Sequence, residues 1–220
     1  MQMKTKKLKY IMYVNNIHMD AKNIQFTEIE LKIAKYIFRH YRDRYNPRQL
    51  AKLMDINHAH ANKLCNSLAD KDILTKERIG NAAYFRYNYN NKSAMKFMEY
   101  LLSIEEKEAP QWLEVPLYSL KKLKPYLQAG LIFGSSVKMK SFNDIDVILI
   151  YKKEEKNNVA RMKDEIRKSG LVEKPIKYVE ISKEDIVKNK DDNIFYSILS
   201  ESMVFHNAEK YVEVIKKCLK

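Results

Sequence analysis

The chain has 220 residues, of which 45% are hydrophobic, enough to bury one or two cores. Its 4 glycines, 5 prolines and 2 cysteines exclude a low-complexity chain, a disulfide framework and a cysteine-rich zinc site, and no apolar run is long enough to span a membrane. The formal net charge of +13 is uneven: residues 1–97 carry 19 Lys and Arg against 8 Asp and Glu, hence +11, whereas residues 98–220 carry 22 against 20, hence +2. A field of that sign in the first half attracts a polyanion.

Residues 1–24 read as an N-terminal arm, with a strand through Leu8 to Val14. The apolar patch Tyr10 to Val14 is too short for a signal peptide, so a cytoplasmic protein is expected. Thr27 and Glu30 have the spacing of a capping box, and Phe26 can staple the helix they open. Leu31, Ala34, Ile37, Phe38 and Tyr41 fall on one face of that helix. Asn46-Pro47 opens a second, short helix that buries Leu50, Ala51 and Met54. A third runs from His58 to Asp70, with Ala61, Leu64, Cys65 and Leu68 inward and Asn62, Lys63, Asn66 and Ser67 outward. His58 and His60 have no acidic or thiol partner at ligand spacing and are expected to lie on the surface. Two β-rich runs, Ile73 to Ile79 and Ala82 to Tyr89, flank Gly80-Asn81 and predict a hairpin.

That order of elements resembles a winged helix-turn-helix domain over residues 25–90. The resemblance implies that the third helix enters the major groove of duplex DNA while the hairpin touches the backbone or minor groove. The outward residues suit such contacts, since Asn62 and Asn66 can pair with adenine and Lys63 can reach guanine or phosphate. Lys76, Arg78 and Arg86 would contact phosphates from the hairpin, and a homodimer would read a palindrome.

A helix from Ser93 to Ile104 carries Met95, Met98, Leu101 and Leu102 on one face and is expected to trail the N-terminal domain, giving it the span 25–104. The run Glu105 to Pro110 changes charge sign and marks a boundary, so a second domain is expected over 112–220, with Trp112 at the junction. Pro116 to Gln128 reads as a helix bent at Pro125. The apolar run Leu131 to Phe133 then reads as a buried strand that turns at Gly134-Ser135. Asp144 and Asp146 alternate with Ile145 and Val147, so on a strand both carboxylates share a face. Adjacent carboxylates repel, and a divalent cation is the usual remedy. A basic helix (Lys152 to Lys168), a strand with Glu180 between Val179 and Ile181, a helix (Asp191 to Glu201), a strand (Met203 to His206) and a last helix (Ala208 to Leu219) complete an α+β chain.

Gly134-Ser135 followed after eight residues by Asp144-Ile145-Asp146 resembles the signature of the nucleotidyltransferase superfamily typified by DNA polymerase beta, and looks like its minimal archaeal and bacterial members. The resemblance implies a small mixed-sheet nucleotidyltransferase fold. It implies a catalytic site in which Asp144, Asp146 and Glu180 hold two Mg²⁺ ions while Gly134, Ser135 and Lys138 bind the phosphates of ATP or another nucleoside triphosphate. By the same family analogy the reaction moves a nucleoside monophosphate, AMP from ATP, to a hydroxyl of a protein or nucleic acid, and a HEPN-type toxin protein is an expected partner. A second reading stays open. Met139 stands where relatives carry a glycine and the loop is short, as in a DNA-binding transcriptional regulator whose nucleotidyltransferase-like domain is inactive.

Overall fold

The computed structural model describes residues 25–219, so the strand expected over Leu8 to Val14 lies outside the described residues. The chain is α+β and divides into two compact units. No helix among the described residues is long and apolar enough to cross a membrane.

The first unit takes its described residues from 25–38 and 43–88. Helix α1 (Glu28–Arg39) opens on the expected capping box: Thr27 Oγ1 accepts from the Glu30 amide at 3.2 Å, and Glu30 Oε2 accepts from the Thr27 amide at 2.7 Å. Its buried face is set by Ile33, Ala34, Ile37 and Phe38, with Leu31 only half-buried, so the stripe is turned slightly from the expected one. Glu30 is itself buried, because its second oxygen accepts from Ser67 (2.7 Å) and Lys71 (2.8 Å). Helix α2 (Pro47–Met54) has the reciprocal Asn46–Gln49 cap and ends on Asp55, which is left-handed at φ 52°. It buries Leu50 and Ala51, whereas Met54 stays half-buried. Helix α3 (His58–Asp70) buries Ala61, Leu64, Cys65 and Leu68, as its periodicity predicts. Strands β1 (Leu74–Ile79) and β2 (Ala82–Tyr87) form an antiparallel hairpin around Gly80, whose φ of 58° a two-residue turn requires.

The second unit takes its described residues from 89–219 together with Arg39–Arg42. Arg39 pairs with the buried Glu105 at 2.6 Å, and the Arg42 guanidinium lies 4.5 Å from the centre of the Tyr196 ring. Helix α4 (Lys92–Ser103) belongs here, not to the N-terminal domain. Its Met95, Met98, Leu101 and Leu102 face is buried, and α4 packs on elements at the C-terminal end of the chain. The expected helix over Pro116 to Gln128 is broken into α5 (Glu114–Leu120) and a 3₁₀ turn over Lys121–Tyr126, because Pro125 lacks the amide that a continuous helix needs.

Four strands form one mixed sheet in the order β5–β4–β3–β6, where β3 is Ala129–Phe133, β4 is Ile145–Ile150, β5 is Ile176–Ile181 and β6 is Met203–His206. Strand β3 runs antiparallel to β4 and to β6, and β5 runs parallel to β4. The short helix α6 (Ser135–Lys138) joins β3 to β4, and α7 (Lys156–Ser169) makes the crossover to β5. Helices α8 (Lys183–Lys188), α9 (Asn193–Glu201) and α10 (Ala208–Cys218) complete the unit, and α8 has no counterpart among the elements expected from sequence. One face of the sheet, including Ile132, Ile145, Val147 and Leu149, is buried against α5, the 3₁₀ turn and α7. Residues alternating with these, Leu131, Ile148 and Ile150, are buried on the other face.

Candidate functional site

The second unit gathers Gly134, Asp144 and Asp146 at one end of the sheet. Phe133 is the register partner of Asp146, so Gly134 leaves β3 beside the aspartate. A β-carbon on Gly134 would stand 2.6 Å from Asp146 Oδ2, and the residue has φ 78°. Only glycine fits such a turn without strain. The turn is braced from below: the Trp112 indole N–H donates to the Ser136 carbonyl at 2.9 Å, and Ser136 is fully buried. Ser135 is exposed at the start of α6. Lys138 is engaged in an ion pair with Glu201 at the end of α9. Burial pushes the Asp146 carboxyl above the ordinary range, the Asp144 charge adds to that push, and Lys177 opposes it.

Lys177 is the residue that sequence reasoning missed. It is the register partner of Asp146 on the parallel strand β5, so the two side chains share a face. Its ammonium forms an ion pair with Asp144 Oδ2. That hydrogen bond holds the Lys177 ammonium above its ordinary range.

Glu180, expected as the third carboxylate, is not brought to the pair. Its register partner is Leu149, which is buried on the α7 face of the sheet. Glu180 therefore points to the side opposite Asp146, where it accepts from Lys163 of α7 and from the Tyr151 hydroxyl. Burial pushes the Glu180 carboxyl up, but those hydrogen bonds together with the charges of Lys163 and Lys156 outweigh it and hold the group below its ordinary range. Tyr151 is pushed up to about 12, by burial first and by Glu180 second. A two-metal centre of the kind the family resemblance implies needs carboxylates converging from both strands, and the residues here do not fit it. Two aspartates face a lysine, and no group of three or more His, Cys, Asp or Glu side chains is placed to hold a metal among the described residues.

The first unit carries a second candidate surface. Asn66 on α3 donates through Nδ2 to the Asn62 carbonyl at 2.8 Å and to Asn62 Oδ1 at 3.2 Å. The Oδ1 of Asn66 accepts from Lys76 of β1 at 2.7 Å, so the polar side of the helix is tied to the hairpin. Lys76 pairs in register with Phe85 and Arg78 with Ala83, which puts both cations on one face of the ribbon. Lys63, Lys76 and Arg78 are exposed. Arg86 differs: it pairs with Thr75 and so lies on the other face, with its Nε buried. Of the six residues expected to meet nucleic acid, Asn62, Asn66 and Lys76 are hydrogen-bonded together, Arg78 shares the face of Lys76, Lys63 is exposed on α3, and Arg86 is apart. His58 and His60 are exposed on the first turn of α3.

No family model matches the chain, and comparisons with curated proteins and with solved structures likewise find no match.

Proposed function

We propose that this protein is a duplex-DNA-binding regulator of winged-helix type whose second unit is a nucleotidyltransferase-like domain. The observation that carries the proposal is the Asn62–Asn66–Lys76 chain of hydrogen bonds, which joins the outward side of α3 to Lys76 of the hairpin, on the same ribbon face as Arg78. Helix and ribbon then present amides suited to base edges next to cations suited to phosphates. The excess of positive charge in the first half of the sequence supplies the long-range attraction.

Fluorescence anisotropy with labelled duplex DNA tests the proposal. Lys63→Ala combined with Asn66→Ala is expected to weaken binding by roughly 10- to 100-fold, the loss of one or two contacts of about 1–3 kcal/mol each. Unchanged affinity in the folded double variant would remove α3 from the interface.

Gly134 against Asp146, with Asp144 alongside, supports the nucleotidyltransferase-like reading of the second unit. Lys177 and the position of Glu180 argue against metal-dependent transfer there. Incubation with radiolabelled ATP and Mg²⁺ is expected to leave no label on the protein, and label lost on Asp146→Asn would restore the enzymatic reading.

A further inference from the structure

We infer that Lys177 is the resident counter-cation of the Asp144–Asp146 pair and keeps divalent metal out of it; this rests on the nucleotidyltransferase-like reading of the second unit.

Two neighbouring carboxylates need positive charge beside them, because each disfavours ionisation of the other. In this fold the charge comes from the chain. Lys177 stands in register with Asp146 and forms an ion pair with Asp144, so one ammonium serves the position between β4 and β5. The nearest acid along β5, Glu180, cannot replace it. A strand side chain stays on its side of the sheet, and Glu180 is on the α7 side, bound to Lys163 and Tyr151. On the β3 side, Gly134 closes against Asp146 at a distance that leaves no room even for a methyl group. A divalent ion entering the remaining space would have to displace the Lys177 ammonium from Asp144 or face its charge at close range. The Lys177 side chain is 65% exposed and Asp144 only 23%. The ammonium therefore approaches from solvent, along the route a hydrated ion would take.

A change at position 177 alone should reverse this. In Lys177→Asp, three carboxylates would lie on one face of adjacent strands in register, with the repelling charge gone. Lys177→Ala removes only the charge.

The test is Mn²⁺ binding to the full-length protein, followed by the electron paramagnetic resonance signal of free Mn²⁺ and by the Mn²⁺-dependent shift in melting temperature. Lys177→Asp is expected to bind roughly tenfold or more tightly than the wild type and to gain thermal stability from Mn²⁺, as a ligand held by the folded state requires. Lys177→Ala should fall between them, and adding Asp146→Asn to Lys177→Asp should abolish the gain. Wild-type binding as tight as that of Lys177→Asp, and lost in Asp144→Asn, would overturn the inference. So would a folded Lys177→Asp, or a folded Lys177→Ala if the first variant fails to fold, that binds no better than wild type. DNA binding on the same samples is expected to be unchanged by either substitution, so failure of the metal inference and failure of the DNA-binding reading are separate results. The ATP labelling described above tests separately whether the second unit transfers nucleotide: label that disappears on Asp146→Asn would show a metal-dependent site and overturn the inference as well.

Discussion

At Gly134 a β-carbon would stand 2.6 Å from Asp146 Oδ2 while the backbone is held at φ 78°. Both facts oppose any side chain, the first by collision and the second by backbone strain of about 1–3 kcal/mol. Gly134→Ala is therefore expected to lower unfolding stability by roughly 2 kcal/mol or more, read from urea melts. A change of less than about 0.5 kcal/mol, the range of an ordinary surface substitution, would mean that the turn does not press on Asp146. The turn at Gly134 and the shared face of Asp144 and Asp146 were legible in the sequence, from an apolar run ending in Gly-Ser and from aspartates alternating with Ile145 and Val147. The contact of Gly134 with Asp146 follows instead from the pairing of β3 with β4. The role of Lys177 was not legible. Ile176-Lys177-Tyr178-Val179-Glu180-Ile181 alternates so weakly that either parity buries apolar residues, and only the register with β4 decides which charge meets Asp146.

Among the elements, α7 and β5 are joined by the Lys163–Glu180 ion pair, with Tyr151 donating to the same carboxylate. Glu180 has a folded-state pKa below its ordinary value, so its contribution to stability is present above the ordinary carboxylate range. That contribution is lost as pH falls through the lowered folded value. Glu180→Gln should accordingly melt at a lower temperature than wild type at neutral pH, with the difference shrinking as the pH is taken down through the carboxylate range. A constant difference across that range would show that the ion pair is not the cause. Helix starts were the most legible elements, since Thr27 with Glu30 and Asn46 with Pro47 announce them in side-chain chemistry alone, and the Gln49 side chain completes the second cap. Helix α8 was hidden because Lys183–Lys188 is short and mostly charged. Helix α4 lies in the second unit against expectation, because a methionine-rich stripe states that it is buried but not against what.

For the whole molecule, the uneven charge is the property that matters. The +11 of residues 1–97 gives a field without a specific target, and the hydrogen-bonded Asn62–Asn66–Lys76 surface gives that field a place to act. Binding to duplex DNA should release counterions, so the logarithm of the binding constant should fall linearly with the logarithm of salt concentration, by about 0.9 per phosphate neutralised. The most direct measurement is that salt series, run by anisotropy on the wild type and on Lys76→Ala with Arg78→Ala. Strong salt dependence is expected in the wild type, with a slope shallower by about 2 in the double variant, roughly one unit for each cation removed. A wild type that fails to bind duplex DNA at low salt, or a double variant with an unchanged slope, would contradict a DNA-binding role for this surface.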